Sequence, residues 1–124
     1  MTSKNTNIKI HLSLTPVGER AEIIQADGTL LEREGKSLVQ FDEKRIQIEP
    51  ERILIRQNYV LELRKDRETA LLYPTPYGDL SMSVRTKHLE ISQDRKKVDA
   101  LYALYTNGEM IHKIRMNLKL EEVK

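Results

Sequence analysis

Val98–Leu120 reads VDALYALYTNGEMIHKIRMNLKL. At its centre, Thr106-Asn107-Gly108-Glu109 carries Asn-Gly, the pair that best tolerates the positive φ angles of a two-residue type I′ hairpin. After that turn, Met110, His112, Ile114, Met116, Leu118 and Leu120 alternate with Lys113, Arg115, Asn117 and Lys119. A period of two is the spacing of a half-buried strand. Before the turn, Arg95 to Tyr105 is the best helical candidate of the chain, yet it reads equally well as a strand entering the turn. Joined by Asn-Gly, the two runs form an antiparallel hairpin, and the fold class follows from it.

The same signals recur outward from this hairpin. Ile8, Ile10, Leu12 and Leu14 alternate with Lys9, His11 and Ser13, and Leu80, Met82 and Val84 with Ser81, Ser83 and Arg85. Thr75-Pro76-Tyr77-Gly78-Asp79 suits a three-residue hairpin loop, with Pro presetting φ and Gly in the left-handed position. Gln57-Asn58 reads as another two-residue turn, and Gly35 marks a turn after Glu34. Pro16-Val17-Gly18 and Glu49-Pro50-Glu51 break apolar runs, and Ser92 to Lys97 is a polar connection. Helical spacing is not sustained over any window of a dozen residues. The breaks give about ten short strands, so the expected architecture is all-β: one antiparallel meander closed into a barrel. It is expected to occupy residues 1–124 as one domain, with an ordered core over about 7–120.

Turn positions fix which side chains share a face. The Asn107-Gly108 turn places Tyr105 opposite Met110, Ala103 opposite His112, Leu101 opposite Ile114 and Asp99 opposite Met116. With Gln57-Asn58 as the turn, Arg56 faces Tyr59 and Leu54 faces Leu61. A Pro76–Gly78 loop pairs Pro74 with Leu80, Leu72 with Met82 and Ala70 with Val84. These sets are mainly apolar, as an inner face should be. Arg56 and His112 are the basic exceptions. A buried guanidinium cannot neutralise and requires an acceptor, either a structural carboxylate or an anionic ligand. Tyr59 opposite could pack on its face. Arg56, Tyr59 and His112 are therefore the candidate ligand-binding residues. Ile53, Ile55 and Val60 fall on the opposite side, where they would form an apolar outer patch.

Tyr73-Pro74-Thr75-Pro76-Tyr77-Gly78-Asp79-Leu80, followed by Val84-Arg85-Thr86 and Leu89, resembles the motif of the YwiB-like family of small bacterial proteins, a domain of unknown function. The apolar strand ending in Arg56 and the hairpin from Leu101-Tyr102 through Asn107-Gly108 extend the resemblance from about Ile8 to Leu120. Two features depart from the family pattern: Asn58 stands where Gly is usual, and the segment from Arg56 to Tyr73 is short. The resemblance implies a calycin-like, lipocalin-like barrel in the bacterial cytoplasm. It implies no known ligand or activity.

The 124 residues carry 21 Lys+Arg, 19 Asp+Glu and no Cys, a net charge of +2. One domain's length is implied, and disulfides, thiolate nucleophiles and cysteine-based metal sites are excluded. Opposite charges are interleaved, as in Glu32-Arg33-Glu34, instead of forming the one-sided basic stripe of a nucleic-acid binder. No apolar run is long enough to span a bilayer. His11, His88 and His112 have no histidine partner at i, i+2 or i, i+4, so no metal is expected. Neither a nucleophile elbow nor a phosphate-binding glycine pattern is present, and no cofactor is expected. The sequence thus reads as a non-enzymatic binder of a small, partly apolar ligand inside the barrel, with Arg56 to receive an anionic end. The alternative is a protein–protein or homodimer module that uses the outer patch.

Overall fold

A computed structural model describes residues 4–123, with side chains from Asn5 onward; the outermost positions of the expected domain lie outside the described residues. Ten strands follow one another: β1 Lys4–Pro16, β2 Glu22–Arg33, β3 Lys36–Phe41, β4 Lys44–Glu49, β5 Arg52–Arg56, β6 Val60–Arg64, β7 Glu68–Thr75, β8 Gly78–Ile91, β9 Lys97–Thr106 and β10 Glu109–Glu122. All pair antiparallel in one sheet of order β6-β5-β4-β3-β2-β1-β10-β9-β8-β7. Each strand therefore pairs with its neighbours in sequence, except that β6 and β7 form the two edges, and β1 against β10 joins the two ends of the chain. The result is an up-and-down barrel, closed except for the seam between β6 and β7. Across that seam the Thr69 hydroxyl donates to the Glu62 carbonyl at 2.6 Å, and the Tyr59 and Tyr73 rings meet with centroids 5.1 Å apart. Among the described residues, no helix is long and apolar enough to cross a membrane.

The turns are set by residues that accept the left-handed region. Asn107 and Gly108 have φ of 51° and 78°, and Glu34 and Gly35 have 48° and 78°. Asp42 adds a turn at φ 50°, which lets Phe41 pair with Lys44 across it.

Inward-facing residues fill most of the barrel. Ile8 and Ile10 of β1, Ile46 and Ile48 of β4, Ile53 of β5, Leu63 of β6, Val84 of β8 and Met116 of β10 are all essentially solvent-free. At the end formed by the β2–β3 and β8–β9 connections, Arg95 reaches across, and its Nε donates to the buried Ser37 hydroxyl at 3.0 Å. That contact plugs the base. At the other end, β3 to β6 stop early while β1–β2, β7–β8 and β9–β10 overhang. The accessible surface is 8233 Å², larger than the roughly 6,900 Å² expected for a sphere-like chain of this mass.

The registers of three hairpins correct the sequence-based expectation, each by one residue. The β5–β6 loop has three residues, so Arg56 pairs with Val60, Ile55 with Leu61 and Ile53 with Leu63; Gln57 N–H donates to the Tyr59 carbonyl at 2.9 Å. The β7–β8 loop is shorter than expected. Gly78 pairs with Thr75, leaving Pro76-Tyr77 as the loop and setting Leu71 against Met82. The β9–β10 turn stands where Asn-Gly puts it and Tyr105 does face Met110, but a bulge at Ile111 then shifts the ladder. His112 faces Leu104, Ile114 faces Tyr102 and Met116 faces Ala100. In each hairpin one strand keeps its expected face and the other is turned over, as a one-residue slip requires.

Candidate functional site

Turning β5 over exchanges the roles of its residues. Ile53 and Ile55 belong to the core, at 0% and 6% exposure, so the outer patch expected from Ile53, Ile55 and Val60 does not exist. Arg56 points outward and is exposed. It stands directly opposite Arg45 of β4, not inside the barrel opposite Tyr59. The one-residue slip explains the error: Leu54 is apolar too, so alternation alone did not decide the face. Asp99 likewise moves from the inner row to the outer one, paired with Asn117. His112 is exposed on the overhanging part of β10. The structure therefore does not bring Arg56, Tyr59 and His112 into one site.

Tyr59 does occupy the open end of the barrel. Below it lies a cavity of about 200 Å³ whose walls come from both halves of the sheet. Leu12, Leu14 and Ile24 supply one side, Ile46, Ile55 and Leu61 the other, and Phe41 and Tyr102 complete the apolar lining. Polar groups sit only around it: Lys44, Glu22 and Gln57, with the Tyr59 and Tyr102 phenols. The Lys44 ammonium lies over the Phe41 ring, 5.7 Å from its centroid. This position follows from the Asp42-Glu43 turn, which carries β4 back so that Lys44 starts at the barrel mouth. Desolvation raises the pKa of Tyr59, and burial raises that of Tyr102 far more. Both phenols therefore stay neutral and available as hydrogen-bond donors. In sum, the mouth presents a pocket with apolar walls, bordered by the Lys44 ammonium, the Glu22 carboxylate, the Gln57 amide and two phenols. Lys44 was not singled out in the sequence, and the signal for it was the Asp42-Glu43 turn after Phe41.

A wider concavity of about 580 Å³ lies on the outer surface, over β1, β10, β9 and β8, with Ile23, Ser13, Asn117 and Asp99 among its lining residues. At its rim the fold gathers His88, Glu90 and Asp99, whose potential ligand atoms lie within 4.8 Å of one another. The bulge between Thr86 and His88 puts His88 on the outer face with Glu90. His88 Nε2 stands 3.6 Å from Glu90 and 3.5 Å from Asp99. Asp99 is also held by the Arg115 guanidinium at 3.3 Å. Two carboxylates thus meet the His88 imidazole and the Arg115 guanidinium in one surface network.

Residues 7–118 match the family described as Domain of unknown function (DUF1934). The fold is similar to that of the solved structure titled "Crystal structure of ywiB protein from Bacillus subtilis". The two share 15% sequence identity with a TM-score of 0.77, over 97% of this chain and 94% of that chain. At that identity the likeness shows the fold alone. No curated protein matches the sequence.

Proposed function

We propose a binding role for this chain, which belongs to the DUF1934 family: it holds a small amphiphilic carboxylic acid in the barrel mouth and performs no chemistry on it. The observation that carries the proposal is the 200 Å³ cavity with aliphatic and aromatic walls, where the Lys44 ammonium offsets the Glu22 carboxylate and is, among the described residues, the one cation available to a ligand. Small barrels either fill their interior or keep room for one ligand. This one fills all but its open end. At roughly 30 Å³ per water-sized group, the space takes about seven such groups. It lies below the roughly 300–1,000 Å³ of drug-sized pockets. An acid of six to eight carbons matches it, with the chain among Leu12, Leu14, Ile24 and Leu61 and the carboxylate reaching Lys44 and a phenol. The anionic end is thus received by Lys44, in place of the Arg56 expected from the sequence. A lipocalin-like reading of the barrel and a reducing, cytoplasmic setting, with which the absence of cysteine agrees, belong to the same proposal.

The test is calorimetric titration with butanoate, hexanoate, octanoate and dodecanoate. Affinity is expected to peak at six to eight carbons, and Lys44→Met is expected to weaken binding about tenfold while leaving the preference for chain length unchanged. No saturable binding by any member, or equal affinity in wild type and Lys44→Met, would reject the proposal.

A further inference from the structure

We infer that a second anion site, for an organic phosphate monoester, lies on the outside of the barrel at Arg45 and Arg56. It is independent of the mouth cavity and sits on the opposite face of the same two strands, since Ile46 and Ile55 point inward where Arg45 and Arg56 point outward.

Arg45 and Arg56 are direct partners across the β4–β5 ladder. Like charges placed directly opposite on adjacent strands repel. Arg52, on the same strand as Arg56, is compensated: it bonds Glu49 at 2.6 Å and reaches Glu62 at 3.4 Å. Those two carboxylates are thereby committed. Among the described residues, no carboxylate lies within ion-pair distance of Arg45 or Arg56. An uncompensated guanidinium pair on neighbouring strands is an arrangement that an added dianion relieves.

The surroundings are those of a binding concavity and not of a flat solvated face. Both arginines line a depression of about 520 Å³, with Gln40 and Thr29 continuing their row and Gln47 beside them. Leu31 and Leu38 provide an apolar part of the same depression, and Leu38 is 37% exposed. Two guanidinium forks rising from strands about 4.8 Å apart can converge on one phosphate, each through paired N–H donors. The Gln40 amide and the Thr29 hydroxyl supply further donors, whereas Gln47 donates to Glu49 at 2.6 Å, and the leucines suit an apolar ester group. Phosphate with an organic substituent fits this lining better than the bare ion.

The test titrates phenyl phosphate and, separately, inorganic phosphate into the full chain, following backbone amide shifts and the melting temperature. Phenyl phosphate is expected to shift the amides of β4 and β5 saturably and to bind at least tenfold more tightly than inorganic phosphate. Arg45→Gln and Arg56→Gln are each expected to weaken it about tenfold. Arg56→Glu, which creates an opposite-charge pair with Arg45, is expected to raise the melting temperature of the free protein and to abolish the ligand-induced rise. Unchanged binding in Arg56→Glu, an equal response to both phosphates, or no saturable shift would overturn the assignment. Hexanoate binding unaffected by Arg56→Glu would show that the mouth cavity is a separate site. Loss of hexanoate binding in that variant would refute the independence claimed here.

Discussion

Gly28 is the glycine of this chain with least room for a side chain. An added Cβ would stand 2.4 Å from the Gln40 carbonyl oxygen, 2.7 Å from Ile10 Cδ1 and 2.9 Å from Phe41 Cβ. The Ile10 methyl is the end of a side chain, but that residue has 0% exposure and no free volume to turn into. The other two contacts belong to β3 itself. Thr29 pairs with Gln40 immediately beyond Gly28, so relief requires moving β3 away from β2 by nearly 1 Å. Overpacking of this kind costs about 1–3 kcal/mol, and the backbone contact places Gly28→Ala toward the upper end. The reduced freedom of the unfolded chain offsets about 0.4–1 kcal/mol. A net loss of about 2 kcal/mol is expected, or roughly 6–10 °C in Tm for a chain of this length. Urea unfolding followed by circular dichroism measures it. Gly35→Ala serves as the control: its φ is 78° but nothing lies within 4 Å of the added Cβ, so only backbone strain of about 1–2 kcal/mol applies. Gly28→Ala that is neutral or stabilising would refute the close approach of β2 and β3 at this position.

Two further substitutions probe the polar groups of the barrel. The Thr86 hydroxyl is buried without a hydrogen-bond partner among the described residues. Thr86→Val keeps the shape and removes the unpaired group, so stability should rise by about 1 kcal/mol in the same unfolding assay; a loss of that size would mean the hydroxyl is satisfied. The hydrogen bond from Arg52 holds the Glu49 carboxyl below its usual pKa of 4.5. The folded value being the lower one, this contribution is present above about pH 4.5 and is lost as the pH falls through the folded pKa. Glu49→Gln should remove on the order of 1 kcal/mol near neutral pH and flatten the fall in stability between pH 5 and 3. An unchanged acid limb would contradict this.

The sequence revealed strands and turns far better than faces. Strict alternation in β1 named Ile8, Ile10 and Leu12 as inward, and all three are buried. The same rule worked along β10 from Ile114 to Leu120. It failed where neighbouring residues are both apolar, as in Ile53-Leu54-Ile55, Leu71-Leu72 and Leu101-Tyr102. There the face depends on loop length and bulges, and one residue decides it. Thr75 shows why: pairing with Gly78 draws that glycine out of the loop, a choice its hydroxyl reinforces by donating to the Gly78 carbonyl at 2.5 Å. The candidate site inherited the error. Arg56 went to the wrong side of the sheet, whereas Tyr59 reached the mouth because β6 kept its face. Lys44 escaped notice because, without its turn and its place over Phe41, it reads as one of many surface lysines. Gly28 escaped for the same reason: its constraint comes from β3, which no local pattern shows.

The proposed function is tested most directly by a carbon–proton correlation spectrum of the methyl groups during titration with hexanoate. Saturable shifts are predicted for Leu12, Leu14, Ile24, Ile55 and Leu61, which line the mouth cavity. Ile8, Ile48, Ile53 and Leu63, in the filled part of the barrel, should stay in place. Shifts confined to Ile23 and Ile91, beside the outer concavity, or no saturable shift at all, would contradict a ligand in the barrel mouth.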